Sequence, residues 1–397
     1  MALKLDALTS LPSDGMSGTL VGRAWLPGRP AGPAVVVLRE DGIFDLSGTT
    51  PTMAELIAAA DPVALAGSAA GVSLGPLDAV LANSAWHARS PGQPYLLAPV
   101  DLQAIKACGV TFVTSMLERV IEEQAGGDPA RAREAREAIT RAVGANLSQV
   151  RPGSEQARRL KEALQARGLW SQYLEVGIGP DAEVFTKAQP LSAVGTGAQI
   201  GIHPASTWNN PEPEVVLVIA PDGRVVGATL GNDVNLRDVE GRSALLLGKA
   251  KDNNASCALG PFIRLFDQTF SLDDVRGCEV SVRVEGEDGF SLAELSSMRA
   301  ISRDVLDLAG QAINRNHQYP DGLVLFTGTL FAPVQDRDAP GLGFTHKEGD
   351  VVTIAAAELG ALVNQVTGSD RAPPWTFGAG ALMRNLAARG LLAGPER

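Results

Sequence analysis

Short apolar runs separated by glycine, proline and aspartate set the rhythm of this chain. Val35–Leu38 is one such run, and Asp41-Gly42 follows it as a tight-turn signal leading into Ile43–Leu46. Val215–Ile219, Leu323–Phe326 and Val351–Ala355 are further runs with the length and β-branching of buried strands. Val280, Val282 and Val284 alternate with Ser281, Arg283 and Glu285, which is the period of a half-buried strand. Helical spacing appears in fewer places. Thr52–Ala60 reads as a short helix and Val110–Leu147 as a longer helical region. Within the latter, Asp128–Leu147 is Ala-rich with Arg and Glu three and four apart, the pattern of a solvated face. Ser291–Ile313 carries the spacing of an amphipathic helix. The stretch from Ala88 to Pro99 is rich in Pro, Gly and Ser, and it predicts a boundary between a leading β-rich domain (1–99) and a main domain (100–397). The expected class is α+β and β-rich.

Composition narrows the setting. The 397 residues are 45% hydrophobic and 20% charged, which is ample for a packed core. No apolar stretch is long enough for a membrane span, and Asp6 and Asp14 interrupt the opening where a secretory signal would be apolar. Cys108, Cys257 and Cys278 lie far apart, so neither a disulfide framework nor a thiolate zinc site is expected, and a reducing cytoplasm is the natural setting. A net charge of −11 disfavours nucleic acid as a partner. It leaves a small anionic substrate open, since a metal ion can reverse the field inside one cleft.

The chemistry concentrates around Pro211-Glu212-Pro213-Glu214, which leads into Val215–Ile219. In an extended strand Glu212 and Glu214 share a face. The run ends at Pro221-Asp222-Gly223-Arg224. If Asp222-Gly223 is a hairpin loop, Asp233 falls opposite Glu212, with Cβ atoms roughly 5 Å apart. Three carboxylates on one face repel each other unless compensated. They are either solvated acids on an exposed strand or oxygen ligands for a hard cation: Mg²⁺ first, with Mn²⁺ or Ca²⁺ as alternatives. Gly248-Lys249-Ala250-Lys251 follows, and the spacing does not decide which lysine belongs to the cluster.

These residues resemble the fumarylacetoacetate hydrolase superfamily. The similarity lies in Glu212-Pro213-Glu214, the block from Asn232 to Asp238, the segment from Ala250 to Pro261, Thr327-Gly328-Thr329, and Gly349-Asp350-Val351-Val352, all in family order. It implies a mixed β-sandwich roll and a homo-oligomer, either homodimer or homotetramer. It also implies a divalent metal on Glu212, Glu214 and Asp233, with Lys251 facing the substrate and Thr329 binding a carboxylate or keto group.

One departure redirects the expected activity. Hydrolytic members carry a histidine where this chain has Ser115, in the run from Thr111 to Glu118, and a serine cannot serve unaided as the base. The branch without that histidine, sharing Glu183, Phe185 and Lys187, resembles 2-keto-3-deoxy-pentonate dehydratases of pentose degradation. That resemblance implies Mg²⁺-dependent loss of water from 2-keto-3-deoxy-D-xylonate, giving 2-oxoglutarate semialdehyde. Glu183 and Lys251 are then the proton-transfer residues. Ser115 and Arg119 are candidates for substrate hydroxyls or carboxylate, and Lys187 for the mouth of the site. Glu118 shares the helical face of Ser115 and Arg119 and reads equally as an internal ion-pair partner. Trp208 reads as packing, and none of the four histidines is expected to act. The rival readings are an acylpyruvate or diketo-acid hydrolase of the same fold, and a non-catalytic sugar-acid or cation-binding protein.

Overall fold

The computed structural model describes residues 3–126, 128, 131–132, 150–166, 170–329, 331, 333, 335–339 and 343–392. Among these, eleven strands form one sheet. Its order is Val72–Gly75, Gly42–Asp45, Gly32–Arg39, Leu20–Leu26, Cys257–Leu265, Val225–Asp233, Pro213–Ile219, Leu323–Phe326, Ala104–Gly109 and Glu183–Ala188, with Tyr95–Leu96 added beside Leu20–Leu26. Every pair is antiparallel except Leu323–Phe326 with Ala104–Gly109, which is parallel. A second sheet runs Ser291–Ser297, Glu279–Glu285, Val351–Ala356, Gly360–Gly368 and Gln199–Ile202.

The strand Pro213–Ile219 is central, which explains its unbroken apolar run. Val215, Leu217 and Ile219 point into the core shared with Val280, Val282, Val352 and Ile354 of the second sheet. Val216 and Val218 point the other way, to Val21, Val35, Ile263 and the helix Met53–Ala58. Both faces are therefore dry, and the two sheets make the expected mixed β-sandwich.

The boundary expected near residue 99 does not separate two sheets. Leu20 faces Arg264 and Val21 faces Ile263 across one ladder, so the leading strands extend the main sheet rather than closing on themselves. A strand edge of unpaired N–H and C=O groups needs a partner, and Cys257–Leu265 supplies it. Within the Pro-Gly-Ser stretch residues 90–93 are exposed, and Tyr95–Leu96 then pairs with Leu20–Leu26.

The expected helix over Ser291–Ile313 is also corrected. Ser291–Ser297 is an edge strand paired along its length with Glu279–Glu285, and only Val305–Ala312 is an α-helix, capped by Asp304. Leu292 packs inward and Leu295 is 66% exposed, so the strand's alternation overrides the helical spacing. Val113–Ala125 is helical and ends on Gly126 in the left-handed region (φ +62), which glycine adopts without strain. Most of the expected helix Asp128–Leu147 lies outside the described residues. Val113–Ala125 packs with Glu155–Gln165 and Gln172–Ile178, and Met116, Ile121, Leu164, Leu174 and Trp208 share its core.

A buried polar knot holds the chain between Thr329 and the strand Val351–Ala356. Arg337 donates to both oxygens of Asp350 at 2.7 and 2.9 Å, and His346 Nδ1 lies 3.2 Å from Asp350 Oδ2. Burial alone would raise the Asp350 carboxyl, but the hydrogen bonds from His346 and Arg337 outweigh it and hold its pKa below the ordinary 3.8. A carboxyl with a depressed folded pKa contributes stability above its unfolded value and loses it as pH falls through the folded one. Asp350→Asn is therefore expected to cost about 3 kcal/mol near neutrality. The gap to the parent should shrink below pH 3.8, as read by urea unfolding at several pH values. A gap that is the same in acid and at neutrality would exclude this role for the charge.

Candidate functional site

The site begins with the central hairpin. Ala220 and Arg224 close a loop of Pro221, Asp222 and Gly223, one residue longer than a Asp-Gly loop alone. A bulge where Val218 pairs with Gly227 and Ile219 with Val225 absorbs that extra residue. The two shifts cancel, so the pairing below the bulge is the one read from the sequence. The Asp233 N–H donates to the Glu212 carbonyl at 3.0 Å, and Pro213 faces Asn232. Glu212, Glu214 and Asp233 are buried and each brings a carboxylate oxygen within 4.8 Å of the others.

These are not solvated acids. Burial, then Asp233 and Glu212, push the Glu214 carboxyl well above the usual range, against the pull of Lys251 and a 2.6 Å hydrogen bond from the Gly328 N–H. Burial also raises Asp233, but Lys187 and Lys251 outweigh it and hold its pKa below the ordinary value. Three inward-facing carboxylates with only oxygen donors suit a hard divalent cation.

Two lysines and an arginine surround the carboxylates. Lys251, at the end of the short helix Leu247–Lys251, reaches Asp233 Oδ2 at 3.0 Å and also donates to Glu212, whereas Lys249 is exposed. Burial lowers the Lys251 pKa, but Asp233, Glu212 and Glu240 together raise it above the ordinary lysine value. Arg119 donates to Glu212 and to Glu122 (2.6 Å), and its Nη1 lies 3.1 Å from Glu240 Oε2.

Lys187 is not at the mouth of the site. Its side chain is fully buried, 2.8 Å from Asp233 Oδ1, and it donates to the Lys251 and Val234 carbonyls. The reason is local. Ala188 pairs with Ile105 and Thr186 with Lys106, so Lys187 is the extra residue of a bulge that turns it behind Asp233. It braces the Asp233 carboxylate from behind and is not part of the cleft lining.

A narrow cleft opens over the carboxylates, lined by Ser115, Arg119, Glu183, Glu240, Lys251 and Thr329 among others. The Glu183 carboxyl lies over Gly109, where a Cβ would come within 1.8 Å of its Oε2. Burial raises the Glu183 pKa, Arg119 and Lys251 pull it down, and Glu212 and Asp233 push it up again. Ser115 donates to the Phe112 carbonyl at 3.0 Å, and Thr329 accepts from the Phe331 N–H at 3.2 Å. Glu122 and Glu240 were not picked out from the sequence. Glu122 bridges Arg119 and Arg237 Nε (2.7 Å), and Arg237 also reaches Glu118 at 3.3 Å. Trp208 is buried beneath the Arg237 guanidinium, a packing role. His346 belongs to the knot with Asp350.

Comparison with known proteins fits this geometry. The fumarylacetoacetate (FAA) hydrolase C-terminal family matches residues 170–367. A "Probable 2-keto-3-deoxyxylonate dehydratase" of Haloferax volcanii is 31% identical over 214 residues, 54% of this chain and 68% of that protein. A 2-dehydro-3-deoxy-D-arabinonate dehydratase of Saccharolobus solfataricus is 33% identical over 187 residues, 46% of this chain and 58% of that protein. Among solved structures, a 2-keto-3-deoxy-D-arabinonate dehydratase with magnesium and 2,5-dioxopentanoate shares the fold. Its TM-score is 0.61 at 20% identity, covering 88% of this chain and 99% of that one. The match in sequence and the shared sandwich place the chain in one group: it belongs to the fumarylacetoacetate hydrolase family.

Proposed function

We propose that the protein is a divalent-metal-dependent hydro-lyase that converts 2-keto-3-deoxy-D-xylonate (equivalently 2-keto-3-deoxy-D-arabinonate) to 2-oxoglutarate semialdehyde and water. The observation that carries this reading is the combination of a buried carboxylate trio with Ser115, not a histidine, on the cleft wall. The two dehydratase relatives support it. Glu212, Glu214 and Asp233 would hold the cation, magnesium in the first place, the ion named with the structurally similar dehydratase. Such an ion would supply Lewis-acid chemistry that makes the protons next to the keto group of a 2-keto acid easier to remove.

The chain's own residues do the rest. Glu183 and Lys251 share the proton transfers: one C3 proton is removed, and the C4 hydroxyl takes up a proton and leaves as water. Hydrogen then moves from C5 to C3, and the C5 enol ketonises to the aldehyde. Thr329 orients the acid end, while Arg119 and Ser115 face the hydroxyl-bearing part. The test is incubation with 2-keto-3-deoxy-D-xylonate and Mg²⁺, following aldehyde. Cleavage of a diketo acid without any aldehyde from the deoxy-pentonate would instead make the protein a hydrolase.

The contact between Gly109 and Glu183 yields a sharper prediction. A methyl at 109 meets the far end of a flexible side chain, which can swing aside with little cost to the fold but not to the proton-transfer geometry. Gly109→Ala should lower kcat by about a hundredfold with the melting temperature little changed, as read by turnover and thermal unfolding on one preparation.

A further inference from the structure

We propose that Glu240 selects substrates with a hydroxylated tail, an inference that rests on the dehydratase reading above. Four acids line the described cleft: Glu183, Glu212, Asp233 and Glu240. Glu212 and Asp233 belong to the carboxylate trio and Glu183 to proton transfer, which leaves Glu240 with no part in the reaction as drawn. It is also more than Arg119 requires, since that guanidinium already meets Glu122 and Glu212. Burial, against the pull of Arg119 and Lys251, pushes the Glu240 carboxyl up to about 7, the mark of an acid whose surroundings do not fully compensate it.

Its placement is rigid. Glu240 ends the helix Arg237–Glu240, which follows closely on the ligand strand Val225–Asp233, and the neighbouring Val239 is anchored in the core. The side chain is only 5% exposed, and its Oε2 stands 3.1 Å from Arg119 Nη1. The cleft wall thus presents an acceptor beside a donor. Two neighbouring hydroxyls, each able to donate and accept, complement that pair. An apolar acyl tail pressed against it would offer no donor to the buried Glu240 Oε2, which accepts no hydrogen bond among the described residues, and such desolvation is costly. Glu240 therefore favours polyhydroxylated 2-keto acids over acyl-bearing ones.

The test uses the Mg²⁺-loaded enzyme and two substrates, 2-keto-3-deoxy-D-xylonate and 4-hydroxy-2-oxopentanoate, which lacks the C5 hydroxyl but keeps the hydroxyl that leaves. The parent should prefer the first by at least about tenfold in kcat/KM. Glu240→Ala should bring that ratio near one, chiefly by raising KM for the first substrate. Glu240→Gln, whose amide still accepts, should keep part of it. Mg²⁺ affinity by calorimetry should stay unchanged in both variants. An undiminished ratio in Glu240→Ala, or equal losses on both substrates, overturns the assignment. Failure of the parent to dehydrate either compound overturns the dehydratase reading itself.

Discussion

Glu214→Gln will abolish turnover while leaving the fold as stable as the parent or more so. Glutamine keeps the shape of the side chain, and its amide oxygen can still accept the 2.6 Å hydrogen bond from Gly328. What it removes is a charge that burial and two neighbouring carboxylates make unfavourable. In the presence of EDTA the variant should therefore melt no lower than the parent. Parent protein at a hundredfold excess of Mg²⁺ over its Kd should gain about 2.7 kcal/mol, and that gain should vanish in the variant. A Lewis acid is worth several kcal/mol to the transition state, so activity should fall by about a thousandfold or more. If the variant melts well below the parent in EDTA, the carboxylate is a structural anion. If it keeps its activity, the trio is not where the cation acts.

Glu183→Gln should separate chemistry from ion binding. Glu183 is not one of the three clustered carboxylates, so Mg²⁺ affinity by calorimetry should be unchanged. Loss of a positioned proton-transfer group should lower kcat by about 10²–10⁴-fold. Lys251→Met should also lower kcat, but with a shift in Mg²⁺ affinity, because Lys251 donates to both Glu212 and Asp233. Equal calorimetric behaviour in the two variants would mean that the lysine acts independently of the trio. Full activity in Glu183→Gln would remove it from the mechanism.

Much of the centre was legible from spacing because it is local. Glu214 and Asp233 sit on two strands joined by a single turn, with Glu212 just ahead of the first, and the alternation of side chains together with turn chemistry points to their meeting. Even there the correct register arose from a longer loop compensated by a bulge at the Val218–Gly227 step, a pair of details invisible to pattern reasoning. Lys187 was misplaced for a related reason: regular alternation puts it on the face of Phe185 and Glu183, and a bulge carries it behind Asp233. Ser291–Ser297 was misread because its leucines repeat at helical intervals, while pairing with Glu279–Glu285 decided the outcome. Glu122 carried a usable signal, one turn beyond Ser115, Glu118 and Arg119 on the same helical face. Glu240 carried none beyond adjacency to the block ending at Asp238, and its cleft position depends on Arg119 arriving from a distant helix.

The separation between the hairpin and the helix Val113–Ala125 has a consequence for how such proteins diversify. The hairpin alone brings the three carboxylates together, whereas Ser115 and Arg119 come from a segment with its own small core, joined to the sheet through charged contacts of Arg119 and Arg237. Substitutions at Ser115 or Arg119 can therefore change what that segment presents to the cleft while the hairpin that gathers the carboxylates stays as it is. The wall of the cleft and its floor thus rest on separate stretches of chain, so one can be altered without unmaking the other.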